Sequence, residues 1–387
     1  MHHSLVTSNV LKLACPDLKA HFSQALVTWQ EKHGRNALPW QNTRDPYCVW
    51  LSEIMLQQTQ VTTVRDYYAK FLQRFPTVGD LAAAQADDVM ALWSGLGYYS
   101  RARNMHKCAQ QVARLHNGEF PSTAVQLQTL PGIGPSTAAA IAAFCFSERA
   151  AILDGNVKRV LTRVLAFAGD LAQGAQERQL LVIANSLLPE HDLAHQMPRY
   201  TQGLMDLGAT VCTLRKPQCL ICPVQAMCRG LADGKAEKYP VRTKKLKRSA
   251  QTLVLLWAQR PDGSVWLERR PASGIWGGLY CLPVFQSQAA LKAFLPVQVH
   301  ERTEPLAPFK HVLTHKDLHL CPVMAGFSAL DDMPHGSAGA TATTAGAWFT
   351  PDAWPHLGLP APVRKLLHND AAQAPSLLRL KAARAWS

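Results

Sequence analysis

The chain has 387 residues, 48% of them apolar and 17% charged, with 23 Gly and 25 Pro. That length calls for two or three domains, and the composition supports sizeable cores while excluding global disorder and collagen-like structure. Forty Lys and Arg against 27 Asp and Glu leave a charge of +13, which favours a polyanionic partner, nucleic acid ahead of an anionic membrane surface.

The longest strongly apolar run, residues 138–146, is too short to cross a bilayer, and the first thirty residues lack the charged-then-apolar pattern of a signal peptide. The expectation is a soluble cytoplasmic protein. Leu18, Phe22, Ala25, Leu26 and Trp29 recur at helical spacing ahead of Gly34. Similar patterns predict helices over residues 46–57, 61–75, 87–96, 100–115, 136–146 and 157–168, so the first half reads as all-α. Residues 235–248 hold seven basic side chains against one acid, Glu237, and Pro240 breaks any helix there. This stretch reads as a linker or an arm lying on phosphate.

Beyond it, residues 252–259 and 264–269 are strand-like around a Pro261-Asp262-Gly263 turn, and residues 313–323 form another short strand pattern. A smaller α+β domain is therefore expected. Residues 329–346, rich in Gly, Ala, Ser and Thr, read as a surface loop, and residues 371–387 as a basic tail. The expected boundaries are 1–234, 235–250, 251–370 and 371–387.

Ten Cys are too few for a disulfide scaffold. Four of them, Cys212, Cys219, Cys222 and Cys228, are separated by six, two and five residues, so four thiolates can converge within one compact loop. Structural zinc sites usually present two short-spaced pairs, whereas here only Cys219 and Cys222 are close; an iron–sulfur cluster fits the spacing better. No acid, base or open coordination position accompanies the four, and Arg215, Lys216 and Arg229 lie beside them. The group reads as a brace for a basic, DNA-facing loop.

Leu130-Pro131-Gly132-Ile133-Gly134-Pro135-Ser136-Thr137 joins two helical patterns through a tight glycine turn. Gly132 and Gly134 let backbone amides approach a phosphate, and the following helix offers its positive end; a plain corner between helices is the competing reading. Twenty residues after Gly134 comes Asp154, followed by Gly155 and Asn156. It serves either as an N-cap or as a carboxylate facing a sugar on a clamped backbone, where it would stabilise positive charge at the anomeric carbon.

Asp45-Pro46 is a good helix start, and helical spacing sets Glu53 on a strip with Val49, Trp50, Leu56 and Gln57. A carboxyl among apolar neighbours keeps its proton at neutral pH, as a general acid must. A partly exposed Glu paired with a nearby Arg is the alternative.

Leu38-Pro39-Trp40, Trp50-Leu51-Ser52-Glu53, Met55-Leu56-Gln57-Gln58-Thr59-Gln60-Val61, Gly95-Leu96-Gly97-Tyr98-Tyr99, the glycine hairpin, Asp154-Gly155-Asn156 and the Cys spacing together resemble the helix-hairpin-helix DNA glycosylase superfamily, and within it the MutY family of adenine glycosylases. The resemblance runs from about residue 20 to 367. It implies an α-helical catalytic domain made of a six-helix module and a [4Fe–4S] module, with DNA between them and the target adenine flipped out of the duplex. It implies that Glu53 protonates adenine N7, that Asp154 stabilises the oxocarbenium-like sugar, and that Gln57 and Tyr98 wedge the duplex and contact its lesion side. The partner it implies is duplex DNA carrying adenine opposite 8-oxoguanine or guanine, met by a monomer.

Related endonucleases carry a Lys in the hairpin that forms an imine and cuts the strand. Here Ser136 stands at that position, and a hydroxyl cannot form an imine, so a monofunctional glycosylase is expected. The second half resembles the Nudix-like domain of the same family through Gly274-Ile275-Trp276-Gly277-Gly278-Leu279-Tyr280 and the run from Phe309 to His315. Its hydrolytic relatives hold magnesium on a Glu-rich helix, but residues 284–292 contain no acid, so this domain should read DNA rather than hydrolyse nucleotides. Thr314 and His315 are expected in a strand facing the base opposite adenine, with Leu313 in place of the family's usual aromatic.

Overall fold

The computed structural model describes residues 16–243, 248–328, 333 and 346–370. Within these the chain forms two compact units, one built from the described residues up to 82 and from 107 to 243, the other from residues 83–106 and the described residues from 248 onward. The helices are α1 (Pro16–His33), α2 (Pro46–Leu56), α3 (Val61–Arg74), α4 (Val78–Ala83), α5 (Ala86–Trp93), α6 (Ser100–Leu115), α7 (Ala124–Leu127), α8 (Pro135–Phe146), α9 (Gly155–Val164), α10 (Gly174–Ser186), α11 (Leu193–Asp206), α12 (Arg229–Ala232), α13 (Gln288–Phe294), α14 (Val297–His300) and α15 (Ala361–Asp370). The strands are β1 (Ser249–Gln259), β2 (Val265–Arg269), β3 (Tyr280–Cys281), β4 (Val284–Phe285), β5 (Thr303–Pro305), β6 (Phe309–Val312), β7 (Lys316–Gly326) and β8 (Ala347–Phe349).

The first unit is helical. Its helices start where the sequence offers local caps: Asp45 accepts a hydrogen bond from the Tyr47 amide ahead of α2, with Pro46 in the first turn, and Pro135 opens α8 behind Gly134. The core gathers Phe22 and Leu26 of α1, Ala139, Ala140 and Ala143 of α8, Val157, Val160 and Leu161 of α9, Leu180 and Ile183 of α10, and Met197, Tyr200 and Leu204 of α11. Five alanines, Ala138, Ala139, Ala140, Ala142 and Ala143, make α8 a thin rod that neighbouring helices can approach closely.

Two long helices, α10 and α11, carried no sequence signal strong enough to predict them. In α11 the reason is Pro198, which lies inside the helix and removes the amide that would bond to the Ala194 carbonyl. The structure supplies a substitute donor: Arg44 Nη2 reaches that carbonyl at 2.6 Å. The basic stretch after Lys235 runs along the first unit as far as Thr243, because Tyr239 O accepts from Arg163 Nε, Val241 O from the Leu171 amide, and Thr243 bonds to Asp170. Lys244, Lys245 and Lys247 lie outside the described residues, as do the basic tail and nearly all of the 329–346 stretch.

The second unit is a mixed sheet with helices α13 and α14 against it, accompanied by α5 and the first turns of α6. Its main path runs β3-β2-β1-β7-β5, with β4 paired to β1, β6 to β7 and β8 to β2. The long strands β1 and β7 are parallel from Ser249 opposite Lys316 to Gln259 opposite Gly326. Val254, Leu256 and Ala258 alternate onto one face with Val323 and Ala325, where Leu291, Leu295 and Val299 cover them. The Pro261-Asp262-Gly263 turn forms as the sequence predicts, with Gly263 at φ 82° and Asp262 accepting the Ser264 amide at 2.9 Å.

One expectation needs correction. Thr314 and His315 are not in a strand. The register pairs Val312 with Asp317, and the Leu313 amide bonds to Lys316 O at 2.8 Å, leaving Thr314 and His315 as the two-residue tip of the β6–β7 hairpin. Strand-like residues on both sides of the tip hid the turn, because it lacks the usual Gly or Asn.

Candidate active site

Glu53 sits in the last turns of α2, half-buried, in the wall of a cavity of about 440 Å³ shared with Trp40, Gln41, Ser52, Phe144, Arg199 and Gln202. Among the described residues no hydrogen bond or ion pair holds its carboxyl. Burial pushes the Glu53 pKa up to about 8, and the negative charge of Asp154 pushes in the same direction. Ionising the group here would strand a charge in a poorly solvated pocket beside another, so the site keeps a proton through neutral pH.

Asp154 is the N-cap of α9, its Oδ1 accepting the Val157 amide at 2.8 Å. The two readings of this residue are therefore compatible: the capping bond fixes the carboxylate, and the carboxylate is near enough to act on Glu53. The wall of the cavity holds Glu53 but not Asp154. This division suits a base held in the pocket and a sugar outside it.

The hairpin stands beside them. Gly132 has φ 79°, a left-handed conformation that side chains disfavour, and a side chain on Gly134 would meet nothing within 4 Å. Its face is open to a close visitor at the positive end of α8. Ser136 Oγ accepts the Leu153 amide at 3.0 Å, which ties the hairpin to the residue just before Asp154. Gln57, one turn after Glu53, donates to Thr137 Oγ1 at 3.3 Å. Glu53, Gln57, the hairpin and Asp154 are thus one connected constellation assembled from α2, α8 and α9.

The four cysteines line a single cleft with Arg163, Val211 and Leu231. Among the described residues no three His, Cys, Asp or Glu side chains are arranged to hold a metal ion. Arg163 of α9, 1% exposed, donates to Thr213 O at 2.7 Å, Leu214 O at 3.0 Å and Cys212 Sγ at 3.4 Å. Arg159, one turn earlier, reaches Cys212 O and Gly208 O at 2.8 and 2.6 Å. The helix that Asp154 caps therefore also anchors the cysteine loop. Burial pushes Cys222 up to about 11 and raises Cys219 and Cys228, so thiolates here call for a strong cationic centre as counter-charge. A donor set of four soft sulfurs matches iron–sulfur or zinc chemistry.

In the second unit, Tyr98 is 42% exposed with φ 48°, and its hydroxyl lies 2.7 Å from Thr314 Oγ1 at the β6–β7 tip. Arg101 stacks under the Tyr98 ring at 5.3 Å, and Arg248 holds the tip by bonds to Thr314 O and Leu313 O at 2.9 and 3.0 Å. Two residues that the sequence singles out separately, Tyr98 and Thr314, meet in one exposed hydrogen bond. His315 is exposed on the same tip.

A family model described as HhH-GPD superfamily base excision DNA repair protein matches residues 51–184, and a NUDIX domain model matches residues 254–369. The adenine DNA glycosylase of Buchnera aphidicola subsp. Acyrthosiphon pisum is 37% identical over 350 residues, covering 90% of this chain and 97% of that protein. The chain belongs to the adenine DNA glycosylase family. The adenine DNA glycosylase of Homo sapiens is 43% identical over 217 residues, 54% of this chain and 39% of that protein. Among solved structures, a thermostable thymine-DNA glycosylase aligns with TM-score 0.49 and 26% identity over 57% of this chain and 99% of that one.

Several residues of the Glu53 cavity carry no signal in the sequence. Gln41, Arg199 and Gln202 enter the Glu53 cavity from the short 3-10 helix Pro39–Gln41 and from α11, and nothing in their local pattern sets them apart from solvated polar residues. Trp40 appeared only as part of a matching motif. Arg159 and Arg163 carry a fainter signal: two arginines one turn apart, on a helix whose Val157, Val160, Leu161 and Val164 are buried, need internal partners.

Proposed function

We propose that this chain hydrolyses the N-glycosidic bond of adenine in duplex DNA where the base faces 8-oxoguanine or guanine, as a monofunctional glycosylase working as a monomer in the cytoplasm. The observation that carries the reading is Glu53: a carboxyl held protonated to about pH 8 in a cavity large enough for a purine, with the capped carboxylate of Asp154 close by. Adenine is a poor leaving group until N7 takes a proton, and Glu53 supplies it. Cleavage leaves positive charge on the sugar, which Asp154 stabilises until water adds to the anomeric carbon. The amides at Gly132 and Gly134 grip the backbone phosphate, and the +13 charge supplies non-specific affinity that falls with salt.

The deciding assay incubates duplexes holding adenine opposite 8-oxoguanine, guanine or cytosine, with and without later alkali. Strand breaks should appear only after alkali and only for the first two pairs. Breaks without alkali would mean lyase chemistry that Ser136 cannot perform, and no breaks at all would leave a DNA-binding protein.

Cys212, Cys219, Cys222 and Cys228 are the ligands we assign to a [4Fe–4S] cluster. When bound, the cluster braces the loop held by Arg159 and Arg163; it supplies no acid or base to the reaction. Purified protein should be brown with about four iron per chain, and Cys219→Ser should lose iron and duplex affinity together. Colourless, zinc-loaded, active protein would contradict the assignment.

Reading of 8-oxoguanine is assigned to the tip of the β6–β7 hairpin, with Tyr98. The lesion differs from guanine by a carbonyl and an N7 proton, which the Thr314 hydroxyl or the His315 imidazole can recognise. The double variant Thr314→Ala with His315→Ala should narrow the preference for 8-oxoguanine over guanine by about tenfold, with adenine still released. An unchanged ratio would return the discrimination to Gln57 and the catalytic unit.

A further inference from the structure

Tyr98 reaches Thr314 from a strained turn. Gly95, Gly97 and Tyr98 stand at φ 107°, 70° and 48°, so three of the four residues 95–98 hold positive φ, a conformation that side chains disfavour. A tyrosine kept there needs support from its surroundings. Part of that support is local: Trp93 Nε1 donates to Gly97 O at 3.0 Å, and Arg101 Nη2 donates to the same oxygen at 3.3 Å. The rest comes from far along the chain. Ser94, the C-cap of α5, donates through Oγ to Leu359 O at 2.7 Å, and Tyr99 donates through its hydroxyl to that same oxygen at 3.2 Å. One carbonyl thus grips the turn on both sides.

Leu359 is itself fixed. Arg364 of α15 donates from Nη1 to Pro355 O at 2.8 Å, from Nη2 to Leu357 O at 2.6 Å and from Nε to Ser94 Oγ at 3.1 Å. A guanidinium is a rigid planar fork, so these three bonds fix the segment and Ser94 relative to each other. Gly358 O accepts the Tyr280 amide at 3.0 Å, which hangs the segment from β3, and a Cβ on Gly358 would come within 2.9 Å of Met90 Cβ, so α5 lies directly against it. Through β2 and β1, β3 belongs to the same sheet as β7, whose hairpin with β6 carries Thr314. Both partners in the Tyr98–Thr314 hydrogen bond are therefore carried by one frame.

We propose that Ser94 and Arg364 are positioning residues for lesion reading: by fastening the turn at residues 95–98 to Leu359 they set Tyr98 against Thr314 before DNA arrives, so that the two meet the base opposite adenine as one preformed surface. A hydrogen bond of 2.7 Å between two exposed hydroxyls is lost on a displacement of about 1 Å, and holding both groups in place beforehand removes the cost of ordering them on binding. Neither Ser94 nor Arg364 supplies an acid, a base or a phosphate contact, so the cleavage step does not depend on them. The inference rests on the proposed reading of 8-oxoguanine by Tyr98 and the hairpin tip, and extends it to how that surface is held.

The test compares single-turnover excision of adenine opposite 8-oxoguanine and opposite guanine in wild type, Ser94→Ala, Arg364→Met, Tyr98→Leu and the double variant Ser94→Ala with Tyr98→Leu, with thermal melting to establish folding. Ser94→Ala should narrow the preference for 8-oxoguanine by about fivefold, the worth of one hydrogen bond, and Arg364→Met at least as much, while excision opposite guanine stays at the wild-type rate. In the Tyr98→Leu background Ser94→Ala should change nothing further, because its effect passes through Tyr98; a merely structural residue would act equally in both backgrounds. Wild-type preference in folded Ser94→Ala overturns the positioning role, and so does a Ser94→Ala effect that persists in full without Tyr98. If Arg364→Met does not fold, Ser94→Ala decides alone. Failure of the underlying reading looks different: Tyr98→Leu would then itself keep the wild-type preference.

Discussion

Glu53→Gln is expected to slow single-turnover release of adenine by about 10² to 10⁴-fold, while affinity for the mispaired duplex stays within a few-fold of wild type. The amide has the size of the acid but no transferable proton, and only the transition state needs that proton. The pH profile follows from the same group. With the Glu53 pKa pushed up to about 8, wild-type excision should be level from pH 6 to about 7.5 and fall tenfold per unit above 8. The variant's residual rate should lack that fall. Near-normal excision by Glu53→Gln would remove Glu53 from the chemistry.

Stability gives an independent reading of the raised pKa. The unfolded chain releases the Glu53 proton near pH 4.5, the ordinary value, and the folded chain keeps it to about 8. Between these limits the native state binds more protons, so this group's contribution to stability declines as pH rises from about 4.5 to 8 and is level outside that window. Glu53→Gln should therefore gain stability relative to wild type across that range, measured by chemical denaturation at pH 5 and pH 8. A difference that does not change with pH would mean that the carboxyl is already ionised in the folded state.

Asp154→Asn should cut the chemical step by about 10² to 10³-fold, the usual cost of losing one electrostatic contact to the transition state, with folding retained. The structure explains why folding should survive: the side chain caps α9 through Oδ1 at 2.8 Å from the Val157 amide, and Asn caps a helix nearly as well as Asp. Asp154→Ala should lose activity and about 1 kcal/mol of stability as well. The comparison of the two variants separates cap from catalyst. If Asp154→Asn melts as low as Asp154→Ala and its activity falls only in proportion to the folded fraction, the cap is the residue's whole role.

Much of the molecule is written locally. The helix over residues 46–57 is legible because Asp45, Pro46 and a run of apolar side chains say so within one stretch of chain, and the structure places α2 over Pro46–Leu56. The turn at Gly263 and the hairpin at Gly132 are legible because positive φ needs glycine. The four cysteines are legible by spacing, and the two domain types by the change from helical to alternating periodicity. These signals reside in neighbouring residues, so no knowledge of the fold is required to read them.

What the tertiary structure decided is which distant residues share a surface. A helix bearing Pro198 has no sequence warrant until Arg44 is seen to satisfy the carbonyl that proline abandons. Burial pushes the Glu53 pKa up to about 8 only when α8 and α11 close around it and Asp154 arrives from a hundred residues away. Thr314 became a hairpin tip in contact with Tyr98 through strand register rather than residue type. Arg35, Asp206 and Gln202 are ordinary polar residues in sequence, and they become one buried hydrogen-bonded group only because Arg35 meets Asp206 from 171 positions away. Burial, charge coupling and long-range hydrogen bonds are properties of a packed interior, so caps, turns and ligand spacings can be read in advance while the tuning of the groups they bring together cannot.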